Sequence, residues 1–198
     1  MTEIVDDKKD EKKQGSKIDG YVLVVLALLL WVIGGHFNNS PLPGQHKLLA
    51  ATSAVTMKEL KGAVIFVTSH TRQGAHGIIL NRPGKKGASG DGGPMEKGKV
   101  YALHSLEVRL PETQVLKEAD IGLVEGREAV ERLKSAKTKP SWYIVVNGYA
   151  GWAQGQLEQE LKDGAWELLD FDKKVVTETP PAKLLEAAKK LPQIQITH

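Results

Sequence analysis

The segment Gly148 to Leu161, Gly-Tyr-Ala-Gly-Trp-Ala-Gln-Gly-Gln-Leu-Glu-Gln-Glu-Leu, constrains the fold more than any other, because its period changes within a few residues. It follows Trp142 to Val146, an aromatic and β-branched run that reads as a strand. It leaves as a helix, with Leu157 and Leu161 four apart and Gly164 in the position after the last turn. Gly148, Gly151 and Gly155 between them mark backbone that must turn tightly or approach another chain segment closely.

The rest of the chain supplies elements for this strand and helix to pack against. Val64 to Thr68 and Gly77 to Leu80 are short β-branched runs separated by the polar turn Ser69 to Ala75, and read as a hairpin. Val100 to Leu103 and Ile121 to Val124 are weaker strand candidates. Arg127 to Ala136 places Ala129, Val130 and Leu133 on one helical face, and Pro140 limits it. Trp166 to Phe171 and Val175 to Val176 have strand character around the turn Asp172 to Lys174, and Pro181 to Leu191 reads as a helix with Leu184, Leu185 and Ala188 on one side. Gly84 to Gly93 is a glycine-rich loop. Interleaved strands and helices with adjacent strand pairs predict an α/β domain, α+β-like, with a mixed β-sheet flanked by helices. A length of 198 residues with 41% hydrophobic content suits one such domain.

The amino-terminal part has a different character. Residues 1–19 are almost entirely polar, with five lysines and six acids, and predict a disordered tail. Residues 20–37 are uncharged with an apolar centre from Tyr21 to Ile33; as a helix they would be roughly 27 Å long. A single transmembrane anchor is preferred to a cleaved signal peptide, because the preceding region is long and acidic and no small-x-small cleavage pattern follows Ile33. It is also preferred to a buried helix. Lys8, Lys9, Lys12, Lys13 and Lys17 before the span, against Lys47 and Lys58 after it, predict a cytoplasmic amino terminus in a bacterial inner membrane. Residues 38–46 would be a linker, and the domain from 47 to 198 would lie in the periplasm.

Charge and chemistry exclude more than they include. The 27 Lys and Arg against 24 Asp and Glu argue against a nucleic-acid partner. With no cysteine, thiolate metal sites and cysteine nucleophiles are absent. Gly148 to Gly155, between a strand and a helix, resembles an anion cradle in arrangement. Its spacing fits neither a Walker A loop nor Gly-x-Gly-x-x-Gly, and Glu158 would itself satisfy the helix start, so a structural turn with Tyr149 and Trp152 as packing anchors is preferred. His70, His76 and His104 fall near predicted strand ends and with Glu158 or Asp91 would make a metal or acid–base cluster, but no paired-ligand spacing occurs and capping or surface roles are preferred. Asn81 and Arg82 suit a carboxylate or phosphate, or equally a turn bonding its own backbone. Lys85 and Lys86 extend this into a small basic patch.

Four motifs, Gly77-Ile-Ile-Leu-Asn-Arg-Pro83, Gly92-Gly-Pro94, Leu103-His-Ser105 and the run from Gly148 through Glu160 to Trp166, together resemble the YqgE/AlgH family of bacterial proteins in content and order. The resemblance covers roughly Lys47 to the carboxyl terminus. It implies a compact α/β domain, described in the family as a transcriptional or regulatory protein, without agreed catalytic residues or cofactor. This chain departs from the family in the expected anchor, and in having a short glycine loop where relatives hold a helix between Asn-Arg-Pro and Gly-Gly-Pro. The expectation is therefore a membrane-tethered binding or regulatory module with no cofactor and no metal. Its candidate ligand-binding residues are Asn81, Arg82, Tyr149, Trp152 and Glu158, and a protein is the candidate partner besides the membrane. A hydrolase-type enzyme with a His/Glu site and a nucleic-acid-binding regulator are the alternatives.

Overall fold

The computed structural model describes residues 41–85 and 88–195. In chain order the strands are β1 (Leu48–Ala51), β2 (Val64–Thr71), β3 (Gly74–Ile79), β4 (Gly90–Asp91), β5 (Met95–His104), β6 (Gln114–Leu116), β7 (Ile121–Glu125), β8 (Tyr143–Ala153) and β9 (Trp166–Leu169). The α-helices are α1 (Arg127–Ser135), α2 (Gln156–Lys162), α3 (Lys173–Glu178) and α4 (Leu184–Ala188). One sheet runs in the order β6-β7-β5-β8-β3-β2-β1-β9, all neighbours antiparallel, with β4 added parallel to β8. The mixed, helix-flanked sheet expected from the pattern is present.

Strand β8 is the hub, because its two halves pair with different neighbours. Tyr143 to Asn147 lie beside β5, and Ala150 to Ala153 beside β3, with Gly148 at φ 74° between them. The continuous apolar runs of β1 and β2 follow from burial on both faces. Leu48, Val64 and Phe66 join a cluster with Leu103, Ile121 and Val146 of the other half-sheet and with Val176 and Leu184 of α3 and α4. Leu49, Ile65 and Val67 face Trp152, Leu157 of α2 and Trp166. A third cluster seats Ala129, Val130 and Leu133 of α1 on Val100, Ala102 and Val124, the face that the helical period predicts.

Several expectations change. Val175 and Val176 lie in α3, because Asp172 caps it by accepting the Val175 amide at 3.1 Å and Val176 is buried. The expected helix from Pro181 to Leu191 is a 3-10 turn, Pro181–Lys183, followed by the short α4. The largest correction concerns the membrane. Among the described residues no helix is long and apolar enough to cross one, and the span read at 20–37 lies outside the described residues. The transmembrane element of the fold expectation therefore does not stand, nor does the single-pass placement with a periplasmic domain that rested on it.

Candidate functional site

The glycine motifs build a backbone crossing. Gly92 and Gly93 run over the middle of β8, where the Gly92 amide donates to the Asn147 carbonyl at 2.8 Å. A Cβ at Gly93, whose φ is 148°, would lie 2.1 Å from the Tyr149 carbonyl carbon, so any other residue would force the two segments apart. The chain stays in β8 through Ala153 and α2 begins only at Gln156, with Gly155 in the left-handed region ahead of it. The Gln156 side-chain carbonyl accepts the Ala153 amide at 3.0 Å. This arrangement supports the structural reading of the segment over an anion cradle.

The five candidate residues fall in separate places. Asn81 accepts the Val64 amide at 2.9 Å and donates to the Gly62 carbonyl at 2.8 Å. Arg82 donates to the carbonyls of Glu59 and, at 3.2 Å, Lys61, and lies 3.6 Å from Asp91. Together they hold the turn before β2 against the end of β3. Tyr149 stacks on His76 at 4.7 Å between ring centroids and donates to Glu96 at 3.3 Å; burial, then the Glu96 carboxylate, holds its phenol above the usual range. Glu158 meets His70, and Trp152 meets Glu160.

The Trp152 contact organises a site. Glu160 Oε2 accepts the indole N–H of Trp152 at 2.9 Å and that of Trp166 at 2.7 Å, while Oε1 accepts the Gln156 amide at 2.8 Å. Trp152 comes from β8, Gln156 and Glu160 from successive turns of α2, and Trp166 from β9. The two indoles pack edge to face at 6.0 Å. Beside them opens a groove of about 380 Å³, whose mouth carries Met57 and Met95, side chains 48% and 47% exposed. Val55 and Leu60 extend its apolar lining, and among the described residues Glu160 and Asp163 are its only charged ones. Sequence reasoning selected Trp152 and missed Glu160, Trp166 and both methionines. The Gln156–Glu160 spacing of four was the available signal, since it sets both side chains on one helix face.

The histidines separate likewise. His70, 1% exposed, presents Nδ1 to the Pro43 carbonyl at 2.6 Å and Nε2 to Glu158 at 3.2 Å. Both ring nitrogens are therefore engaged, one by a backbone carbonyl and the other by a carboxylate. It ties residues 43–45 to α2, helped by Gln45, whose side-chain oxygen accepts the His70 amide at 3.1 Å. The ring has no free nitrogen for acid–base work. His104 is fully buried, with Nδ1 on the Ser105 carbonyl at 2.9 Å and, among the described residues, no partner for Nε2; burial lowers its pKa. Ser105 in turn accepts the Ser141 amide at 2.9 Å, which joins the end of β5 to the start of β8. Among the described residues no group of three His, Asp or Glu is placed to hold a metal ion.

Comparison with known proteins gives the context of these motifs. A UPF0301 protein of Thiobacillus denitrificans is 30% identical over 165 residues, covering 74% of this chain and 88% of that protein. A UPF0301 protein of Pseudoalteromonas translucida is 29% identical over 73% of this chain and 88% of its own. The solution structure of the AlgH protein from Pseudomonas aeruginosa superimposes with a TM-score of 0.63 at 27% identity, over 75% of this chain and 88% of that one. A crystal structure of a Corynebacterium diphtheriae protein, at 19% identity and a TM-score of 0.58, shares the fold. The AlgH-like family matches residues 48–197, a range that begins after the segment on which the anchor and the inner-membrane location were read. With a match across most of its length, and with the Gly92–Gly93 crossing and the Trp152–Glu160–Trp166 cluster built from the motifs that first suggested it, the chain belongs to the AlgH-like family.

Proposed function

We propose that this domain is a binding module whose Trp152 groove holds a basic side chain of a protein partner together with the apolar residues beside it. The observation that carries this reading is the composition of the groove among the described residues: an aromatic and aliphatic lining, two carboxylates, no cationic residue, and two exposed methionines at its mouth. Methionine is unbranched and polarisable, so it adapts to a partner's shape where a branched residue would not. Indole faces beside a carboxylate suit a guanidinium or ammonium group, through cation–π and charge attraction together. Three N–H donors fix the Glu160 carboxylate in place, so binding need not order it. Of the sequence candidates, Trp152 contributes to the groove wall, and Asn81, Arg82, Tyr149 and Glu158 belong to the neighbouring elements.

The test uses the full chain and two short peptides, acetyl-Leu-Arg-Leu-amide and acetyl-Leu-Glu-Leu-amide, followed by the indole N–H resonances of Trp152 and Trp166. The arginine peptide should shift both resonances, with affinity that falls as salt rises. Asp163→Lys at the exposed rim should weaken it by about fivefold, the ~1 kcal/mol of an exposed ion pair. Equal binding of the glutamate peptide, or no shift with either, would sink the proposal.

A further inference from the structure

A second groove lies along an open strand edge, and we infer that it takes an extended peptide of a partner protein as an added β-strand, apolar on one face and acidic on the other. The inference is independent of the Trp152 groove and rests on the backbone of β8. That strand pairs with β5 from Tyr143 to Asn147, but on its opposite side β4 reaches only Val146 and Asn147. The Trp142 carbonyl accepts the Ser105 amide on the β5 side, and the Asn147 carbonyl accepts the Gly92 amide on the β4 side. Since backbone groups alternate in direction along a strand, the amides of Tyr143 and Val145 and the Tyr143 carbonyl point to the open side. Among the described residues they have no strand opposite them. The free edge is about 10 Å long at roughly 3.3 Å per residue.

The surroundings specify what fits there. The edge lies in a groove of about 350 Å³. On one face of the strand, Trp142 and Ile144 pack with the cluster that contains Val176 and Leu184. On the other, Tyr143 stands 48% exposed and the groove includes Lys134 of α1. Among the described residues the lining contains two cations, Arg82, which lies 3.6 Å from Asp91, and Lys134, which donates to Glu131 at 2.9 Å, and no carboxylate. A strand added at this edge would set alternate side chains toward Val176 and Leu184 and the others toward Tyr143 and Lys134, which selects an apolar/acidic alternation. β4 is already a two-residue addition to the same edge, so a further strand continues existing geometry. Tyr143 to Val145 carry an aromatic and two β-branched residues, which favour strand pairing, and the described loop residues Pro83, Gly84 and Ala88 line the groove beside them.

The experiment uses the full chain and the hexapeptide acetyl-Val-Glu-Val-Glu-Val-Glu-amide, with amide exchange read residue by residue. Binding should slow exchange at Tyr143 and Val145 and leave the indole signals of Trp152 and Trp166 unmoved. Methylating alternate backbone nitrogens of the peptide, in the set that faces the edge, should weaken it at least tenfold, whereas methylating the other set should not. Tyr143→Pro, at the first residue of the strand where proline is tolerated, should weaken it similarly while leaving the fold intact. No binding, equal binding of the control peptide acetyl-Val-Lys-Val-Lys-Val-Lys-amide, or protection elsewhere in the chain would overturn the proposal. So would concentration-dependent protection of the same amides without peptide, which would assign the edge to a second copy of the chain.

Discussion

Removing the Glu160 carboxylate tests whether the most distinctive cluster in this domain holds it together. Glu160→Ala deprives the indoles of Trp152 and Trp166 of their common acceptor, and frees the Gln156 amide. Hydrogen bonds to a charged group contribute about 1.5–3 kcal/mol when buried, and the open groove admits water, so about 1–1.5 kcal/mol for each indole is the appropriate scale. Gln156 is exposed and loses little. The sum, about 2–3 kcal/mol, corresponds to a Tm lower by roughly 5–10 °C for a domain of this size. Urea unfolding should show the loss without a change in m-value. Glu160→Gln keeps an acceptor oxygen without the charge and should cost about 1 kcal/mol. Trp152→Phe in the Glu160→Ala background should cost roughly 1 kcal/mol less than in the parent, because the partner is already gone. A Glu160→Ala variant within about 0.5 kcal/mol of the parent, or strictly additive losses, would refute the idea that this carboxylate joins α2, β8 and β9.

Three further outcomes follow from other contacts. Burial lowers the His104 pKa in the folded state, so below about pH 6.5 the unfolded chain binds more protons at this residue than the native one. Stability should fall as pH drops through that value, and His104→Phe should flatten this acid limb in pH-dependent urea titrations; an unchanged limb would exclude His104 as its source. Glu107, held down to about 2 by its hydrogen bond to Ser105 and then by its other donors, should act in a lower window, contributing above pH 4.5 and losing its contribution as pH falls toward 2. Ser141→Ala, which removes a hydroxyl donating to Glu107 at 2.9 Å, should raise that residue's titration midpoint in carboxylate NMR, and an unmoved midpoint would count against the contact. Gly93→Ala should leave little folded protein by circular dichroism, because its Cβ would meet the β8 backbone at φ 148°; native stability would refute the crossing.

The sequence was most legible where local pattern and tertiary position agree. The β2–β3 hairpin, although its strands extend to Thr71 and from Gly74 into the expected Ser69 to Ala75 turn, the strand at Trp142 to Val146 and the apolar stripe of α1 all appear, because each buries a face that the residue order already distinguishes. Gly164 stands at φ 71° just beyond α2, as its place in the pattern indicates. Leu48 to Ala51 is different. Leu-Leu-Ala-Ala has no alternation and no β-branched residue, and it is a strand only because β2 and β9 flank it and all four residues are buried. Gln114 to Leu116 is similarly defined by pairing with β7 rather than by its composition. The β-branched pair Val175-Val176 misleads in the other direction, because a cap at Asp172 decides the conformation before side-chain preference does.

The same distinction bears on function. The residues that make this sequence recognisable have structural work that accounts for them: Gly92 and Gly93 permit a backbone crossing, Asn81 and Arg82 bond carbonyls and an amide of the turn before β2, and Glu160 gathers two indoles. A motif explained so fully by packing identifies the fold without requiring a ligand. The features left over are those that packing does not need: Met57 and Met95 at the mouth of an acidic, aromatic groove, and Tyr143 on an unpaired strand edge beside Lys134. A large apolar side chain in water contributes nothing to the monomer's core, and an open edge invites pairing with another chain. If both proposals hold, these residues mark two separate grooves of opposite charge. Asp163→Lys should then weaken only the first peptide and Tyr143→Pro only the second; a variant that weakened both would mean that the two grooves are one site.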